Sequence, residues 1–183
     1  MEGSRVQANR TQDGHRQEDS PDRETASHAE EKAQVNIKRE RVVDIWAEAQ
    51  PLLVAHWREI AHYQDIELAP EFSVYEVAEQ HGNLRCYTAR AGTKLVGYAV
   101  FFVRHNPHYR NSLQAVQDVL FVLPEHRKGM AGVRLIRHAE QSLKAEGVQV
   151  VYHHVKRTNQ VGRLLGRLGY DLVEEIYSKR LDK

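Results

Sequence analysis

Apolar residues recur at helical spacing in one long segment of the first half of the chain. Between residues 42 and about 62 they fall on one broad face, which predicts an amphipathic helix. Pro51 lies inside that segment and is expected to split or kink the helix, because proline has no N–H to donate. A second, shorter helix is predicted over Phe72–Gln80, ending before Gly82.

Strand-like runs, rich in β-branched and aromatic residues, fill most of the remaining sequence. A hairpin is predicted around Gly92, and an amphipathic helix is predicted from about Gly132 to a glycine stop at Gly147. Gly169 suits the left-handed position that follows a further helix. The hydrophobic pattern alone predicts a domain with both helices and strands. The predicted strands cover residues 34–39, 84–89, 95–103, 115–122, 148–155 and 176–181.

Length and composition fit one compact domain with a core. The chain has 183 residues, of which 41% are hydrophobic. No apolar run approaches the length of a membrane span, and no apolar stretch follows the first residues as a signal peptide requires. The single cysteine, Cys86, excludes an intramolecular disulfide and a cysteine cluster for zinc. We expect a buried, unreactive thiol in a strand, and a cytoplasmic location.

The first 33 residues differ sharply from the rest. They carry five basic and eight acidic residues and contain no Phe, Trp, Tyr, Leu or Ile. Such a segment buries too little apolar area to offset the entropy cost of ordering it, so residues 1–33 are predicted to be a disordered tail. A tether or docking peptide is the functional alternative. Residues 34–183 form the predicted domain, and their net charge of +4 does not favour a nucleic-acid partner.

The most informative segment runs from a predicted strand through Pro124 into a short basic loop and then a helix. The loop carries Arg127, Lys128 and Gly129, and the helix begins near Gly132. The first N–H groups of a helix have no partner within it, and the helix dipole is positive at that end. This order therefore predicts a binding site for phosphate oxygens. An ordinary strand–turn–helix connection is the alternative interpretation.

The same segment resembles motif A of the GNAT N-acetyltransferases, which often reads Leu-x-Val-x-Pro-x-x-Arg-Gly-x-Gly-x-Gly. The matching residues are Leu120, Val122, Pro124, Arg127 and Gly132. Lys128 and Met130 stand where glycine is frequent in that family. A shifted alignment over His126, Gly129 and Ala131 fits a related spacing but puts histidine where arginine or glutamine is usual.

The C-terminal part adds to the resemblance, because residues 159–170 are similar to the family pattern Asn…Leu-Tyr-x-x-Leu-Gly-Phe. The resemblance spans roughly residues 35–181 and implies a mixed α/β fold, with a twisted mixed sheet flanked by helices. It also implies acetyl-CoA as the co-substrate, no metal, and an amine acceptor that attacks the thioester directly in a ternary complex. Other short runs of the sequence resemble a subgroup of the family that is encoded in bacteriophage genomes. That resemblance would place the protein in the host cytoplasm.

Family members hold the pantetheine arm between the strands on either side of the phosphate loop, and the loop amides bind the pyrophosphate. The resemblance therefore implies a strand edge, the loop and one asparagine as the cofactor-binding set. A solvated basic turn is the alternative for the two basic residues. The implied residues are Leu120, Phe121, Val122, Arg127, Lys128, Gly129, Met130, Ala131, Gly132 and Asn159.

Asp118 stands inside an otherwise apolar strand, where many family members carry a glutamate. The resemblance implies a general base at this position, acting directly or through a water molecule. A half-exposed charge on an alternating strand is the alternative. The family's usual general acid is a tyrosine, and Leu165 replaces it here.

Tyr152, His153 and His154 are the nearby candidates for the missing proton-transfer group, together with Tyr170. Successive strand side chains point to opposite faces, so only one of the two histidines is expected to reach the cleft. The other is expected to pack under a helix. The same alternation argues against a metal ion shared by the pair, and no metal site is predicted.

Two other function classes stay open. A non-catalytic acyl-CoA-binding module is compatible with Leu165, and a protein-interaction module could use the acidic tail. No membrane partner is expected, and the resemblance leaves a homodimer open. The sequence does not name the acceptor, because acceptor loops differ among members of one fold.

Overall fold

A computed structural model describes residues 35–157 and 159–183, and the predicted tail over residues 1–33 lies outside the described residues. A 3-10 turn over Pro124–His126 follows the strand that ends at Val122 and precedes the helix that begins at Ala131. The regular elements in chain order are β1 Asn36–Glu40, α1 Val42–Ile60, α2 Phe72–Gln80, β2 Leu84–Ala91, β3 Lys94–His105, β4 Leu113–Val122, α3 Ala131–Ala145, β5 Val150–Tyr152 and α4 Val161–Arg167.

The five strands form one sheet in the order β1-β2-β3-β4-β5. Neighbours among the first four strands are antiparallel, whereas β5 runs parallel to β4. Helix α1, with α2 beside it, covers one face of the sheet, and α3 covers the other. The predicted mixed sheet flanked by helices is therefore confirmed.

Helix α1 runs through Pro51 as one helix, so the predicted split does not occur. Pro51 lies on the exposed side, as does Ala47, whose carbonyl loses the N–H that residue 51 would normally donate. Water can hydrate that carbonyl, while the opposite side of the helix is held by the core. The buried residues of α1 are Val42, Ile45, Ala49, Leu52 and His56.

Strands β3 and β4 approach each other very closely at Gly97, which pairs with Val122. A Cβ atom at position 97 would lie 2.7 Å from the Phe121 carbonyl oxygen and 2.9 Å from Val122 Cγ2. Position 97 of β3 therefore requires glycine, because any side chain there would collide with the end of β4. The predicted buried thiol is also confirmed: Cys86 lies in β2, and burial raises its pKa.

The C-terminal part departs from the prediction at two places. The buried strand expected over residues 148–155 is only three residues long, Val150–Tyr152, and is partly exposed. The pairing of this strand with β4 stops at Tyr152, which lies opposite Val116. The closing strand expected over residues 176–181 does not form, and no strand follows α4 among the described residues. Gly169, at φ +94°, does take the left-handed conformation expected after α4.

Candidate active site

Asp118 lies at a β-bulge in the middle of β4. Val100 of β3 pairs with Val119, and the next residue, Phe101, pairs with Gln117, so Asp118 has no direct partner across the ladder. A bulge of this kind bends its strand and changes where the extra side chain points. The sequence pattern placed Asp118 in a regular strand and gave no sign of the extra residue.

The Asp118 carboxylate contacts helix α2, where the Tyr75 hydroxyl donates a hydrogen bond to Asp118 Oδ2 over 2.9 Å. Although part of the Asp118 side chain is exposed, packing around the carboxyl removes water from it and raises its pKa. The Tyr75 hydrogen bond and the positive charge of His154 act against that shift. His154 therefore lies near enough to Asp118 for their charges to interact.

Tyr75 is a candidate functional residue that sequence analysis missed. Its contact with Asp118 joins residues 43 positions apart, so no local pattern could reveal it. The ring packs against Trp46 and Phe102, with centroids 5.5 and 6.0 Å away. Packing thus holds the hydroxyl in place beside the bulge.

Strands β4 and β5 separate next to the bulge. Their ladder joins only residues 114–116 to residues 150–152, whereas β4 continues to Val122 with β3 as its partner. Among the described residues, the backbone of residues 117–122 therefore has no strand partner on the β5 side and presents an open edge there, with only the Val122 carbonyl engaged, by Arg127 Nε. Such an edge can bind an extended chain through backbone hydrogen bonds, as an added strand would.

This open edge leads into a loop whose N–H groups are free. Within the described part of the chain, no backbone or side-chain acceptor engages the amides from Lys128 to Val133. Residue Met130 precedes helix α3 and provides no side-chain cap. A Cβ atom at Gly129 or Gly132 would meet no atom within 4 Å, so the space around the loop is open. These features suit an anion such as a pyrophosphate.

The Arg127 side chain forms its hydrogen bonds with residues outside that loop. Its Nε donates to the Val122 carbonyl over 2.7 Å, and its Nη2 donates to both Glu59 oxygens at 2.8 and 2.9 Å. The guanidinium also lies 5.2 Å from the centroid of the Phe121 ring. Arg127 therefore ties the end of β4 to helix α1, whereas Lys128 is exposed and has no ion-pair partner among the described residues.

The adjacent histidines lie on different faces. His153 hydrogen-bonds to the Gln117 side-chain amide at 2.7 Å and to the Tyr170 hydroxyl at 3.2 Å, and Tyr170 donates to Glu140 of α3. Burial lowers the pKa of His153 to about 4, so this imidazole is neutral beneath α3. His154 is exposed on the opposite face, toward Asp118.

The remaining predicted residues have partly structural surroundings. Tyr152 follows Val151, which packs on the α3 side, so strand alternation places Tyr152 on the same face as His154. Asn159 accepts a hydrogen bond from the Val161 N–H over 3.0 Å at the start of α4, which occupies its side-chain oxygen. Leu165 is buried in the fold.

A family model described as the acetyltransferase (GNAT) family matches residues 40–170. The chain belongs to the GNAT acetyltransferase family. The match covers most of the sequence and contains the bulge, the open strand edge and the loop of free amides. No curated protein matches the chain closely enough to count as a relative.

Solved structures share the GNAT fold of this chain. A ribosomal-protein-alanine N-acetyltransferase from Brucella melitensis biovar Abortus 2308 is 20% identical, with a TM-score of 0.61 over 80% of this chain and 99% of that one. An aminoglycoside acetyltransferase from an uncultured soil metagenomic sample is 16% identical, with a TM-score of 0.61 over 80% and 97%. A predicted acetyltransferase with acetyl-CoA from Clostridium acetobutylicum is 10% identical, with a TM-score of 0.64 over 81% and 97%. At these identities the similarity establishes the fold.

Two kinds of feature are absent from the described ranges of this GNAT chain. No group of three or more His, Cys, Asp or Glu side chains there is arranged to hold a metal ion. Likewise, none of the helices over residues 35–157 and 159–183 combines the length and apolar character that crossing a membrane requires.

Proposed function

We propose that this chain transfers an acetyl group from acetyl-CoA to the amino group of an acceptor, either a small molecule or a protein, by direct attack in a ternary complex. The observation that supports the proposal most is the continuity of two features. The open edge of residues 117–122 leads directly into the free amides of residues 128–133. An extended arm can therefore pair with this edge while a pyrophosphate at its end meets the free amides.

In this proposal the edge formed by Leu120, Phe121 and Val122 binds the pantetheine arm, and the Val122 carbonyl keeps its hydrogen bond from Arg127 Nε. The side chain of Phe121 takes no part, because it is buried beneath His56 and Arg127. Arg127 acts as a brace that fixes the start of the loop. The amides that would bind the pyrophosphate belong to Lys128, Gly129, Met130, Ala131, Gly132 and Val133.

Charge and one side-chain amide complete the proposed cofactor site. Lys128 supplies the positive charge, since Arg127 is already paired with Glu59. Among the described residues the Asn159 side-chain NH₂ group has no acceptor, because only its oxygen is engaged, by the Val161 N–H at the start of α4. That group is available to donate to the cofactor at the start of the helix.

Asp118 is the proposed general base. It takes a proton from the acceptor ammonium, and the free amine then attacks the thioester carbonyl, so that a C–N bond forms and the C–S bond breaks. Burial brings the pKa of Asp118 upward, closer to the working pH, which makes a better base than an ordinary aspartate. Holding the two reactants in line replaces a bimolecular encounter with an effectively unimolecular step.

The departing CoA thiolate takes a proton from Tyr152, His154 or solvent. Both side chains lie on the face that carries Asp118, whereas His153 and Tyr170 are engaged beneath α3. Leu165 supports a second candidate function, a non-catalytic acyl-CoA-binding module, because a buried leucine stands at the usual acid position. The protein-interaction alternative depends on the tail and stays a prediction, as do a cytoplasmic location and a bacteriophage origin.

Release of free CoA, measured over a broad panel of amines, tests the proposal. Asp118→Asn keeps the shape of the side chain and removes the proton acceptor, so turnover is expected to fall on the order of a hundredfold or more. Asp44→Asn, at an exposed position in the first turn of α1, is the matched control. Calorimetry is expected to show nearly unchanged acetyl-CoA affinity for both variants.

Each other outcome has a defined meaning. Tight acetyl-CoA binding without turnover of any amine would favour the non-catalytic module. Wild-type turnover in Asp118→Asn would remove Asp118 from the mechanism. Failure of the wild-type chain to bind acetyl-CoA would contradict both functions.

A further inference from the structure

Beyond the end of their ladder, strands β4 and β5 are joined by two side chains rather than by the backbone. The ladder ends where Val116 lies opposite Tyr152. Gln117 and His153 are the next residues in the same parallel register, and 2.7 Å separates His153 Nδ1 from Gln117 Oε1. We call this hydrogen bond the Gln117–His153 bond. It holds the two strands together at the residue where the open edge of β4 begins.

The Gln117–His153 bond is supported from both sides. Gln117 is buried and pairs with Phe101 of β3, whose ring packs edge-on against the His153 ring at 5.7 Å between centroids. On its other side, His153 Nε2 lies 3.2 Å from the Tyr170 hydroxyl, which donates to Glu140 of α3. These contacts hold the end of β5 toward α3, so it cannot shift along β4 without breaking them.

The same contacts help to keep the edge of β4 open. A free strand edge pairs readily with another extended segment, and residues 154–156 continue directly from β5. The bulge at Asp118 interrupts the register of β4 one residue after Gln117, which disfavours further pairing. The bond between His153 and Tyr170 holds β5 beneath α3 and away from that edge.

The length of the edge agrees with an arm that ends beside the Gln117–His153 bond. The pantetheine arm has about twelve bonds between the pyrophosphate and the sulfur, as many as about four residues of extended chain, or roughly 13 Å of strand. Arg127, which precedes the free amides, hydrogen-bonds to the Val122 carbonyl. Asp118 lies four residues before Val122 in β4, next to Gln117. The thioester at the end of such an arm therefore reaches β4 beside this bond.

We propose that His153 is a positioning residue for acetyl transfer: through Gln117 it fixes the point where β4 and β5 separate, and so the place where the thioester stops beside Asp118. This role rests on the proposed function, because it takes the open edge as the site of the arm. His153 acts through Gln117 and contacts neither reactant. Burial lowers the pKa of His153 to about 4, and a neutral, buried imidazole suits a residue that holds other groups in place.

Calorimetry with two ligands tests this role. Acetyl-CoA carries the pantetheine arm, whereas 3′-phospho-ADP is the nucleotide of CoA without the arm. His153→Phe keeps a ring but loses both hydrogen bonds. Its affinity for acetyl-CoA is expected to fall about tenfold, with unchanged affinity for 3′-phospho-ADP, because only the arm depends on where the strands separate. His138→Phe, the same substitution on α3 where the ring packs against Tyr87, is the control and should bind both ligands like wild type.

A double-mutant cycle determines whether the effect comes from the Gln117–His153 bond itself. Gln117→Met removes the amide but keeps an unbranched side chain of similar length, and it should lower the acetyl-CoA affinity as much as His153→Phe does. The double variant Q117M/H153F should bind no more weakly than either single variant, since all three lack the same bond. Losses that add fully in the double variant would overturn the proposal.

The remaining outcomes separate this role from a purely structural one. Equal losses of affinity for both ligands would mean that His153 only supports the fold. Unchanged acetyl-CoA affinity in His153→Phe would mean that it does not position the arm. Either result overturns the proposal and leaves the proposed function standing. A wild-type chain that binds neither ligand would contradict the proposed function, and the positioning role with it.

Discussion

Tyr75 and Asp118 join helix α2 to the bulge of strand β4 through one hydrogen bond of 2.9 Å, donated by the phenol to the carboxylate. Burial and the neighbouring Asp118 charge raise the pKa of Tyr75, so the phenol keeps its proton and remains the donor. The same bond stabilises the ionised form of Asp118. The protonated phenol and the carboxylate therefore form one hydrogen-bonded pair beside the open edge of β4.

Removing the phenol is expected to shift the pH dependence of the reaction. Tyr75→Phe keeps the ring packing but loses a hydrogen bond that lowers the pKa of Asp118, so that pKa rises. The acid limb of the kcat/KM profile should therefore move to higher pH, because the ionised carboxylate loses the hydrogen bond that favours it. Tyr109→Phe, in an exposed loop, is the control. An unchanged limb, or a shift to lower pH, would contradict the role of Tyr75.

A carboxylate at position 132 is expected to weaken binding of the CoA pyrophosphate strongly. A side chain at Gly132 meets no atom of the protein within 4 Å, so Gly132→Asp should fold normally. The added charge would lie among the free amides, and calorimetry should show acetyl-CoA affinity reduced about a hundredfold, which corresponds to roughly 3 kcal/mol. Gly166→Asp places the same change on exposed helix α4 and should bind normally. Undiminished affinity in a folded Gly132→Asp chain would move the cofactor site elsewhere.

Local sequence patterns predicted the helices and strands of this fold better than they predicted its long-range contacts. Helix α2, with its end before Gly82, and the hairpin at Gly92 were predicted correctly, because the signals for both lie within a few residues. The bulge at Asp118 changes the register by one residue, and strand alternation contains no signal for it. The Tyr75 contact and the Glu59 contact of Arg127 depend on how distant elements pack.

The loop before α3 shows the same contrast within the candidate site, between local features that could be predicted and long-range contacts that could not. Free amides before α3 follow from the strand–loop–helix order, so they could be predicted. The basic charge of Arg127 suggested a phosphate ligand, yet packing against Phe121 and Glu59 gives that charge another partner. Likewise, the apolar residues at 176–181 have the composition of a strand but find no partner strand within the described chain. Composition indicates the tendency of a segment to form a strand, whereas the strand forms only where a neighbouring strand can pair with it.

Arg127 is expected to matter more for stability than for cofactor charge. Arg127→Lys keeps one positive charge but loses the Nε donation to Val122 and the two-point contact with Glu59. The free energy of unfolding should fall by about 1–2 kcal/mol in urea titrations, as expected for lost hydrogen bonds at a partly exposed site. Lys128→Ala should show the reverse pattern, with stability nearly unchanged and acetyl-CoA affinity reduced. A large loss of affinity with no loss of stability in Arg127→Lys would assign its charge to the cofactor instead.

The contribution of His153 to stability is expected to be lost as the pH falls. An unfolded imidazole binds a proton near pH 6.5, whereas burial lowers the pKa of His153 to about 4 in the folded chain. Between those values the unfolded chain binds more protons, so the contribution of His153 to stability is present above pH 6.5 and is lost as pH falls toward 4. The stability difference between wild type and His153→Gln, measured by urea unfolding, should therefore shift by about 2 kcal/mol against wild type between pH 7 and pH 5. A stability difference that stays constant between pH 7 and pH 5 would mean that His153 is not buried in its neutral form.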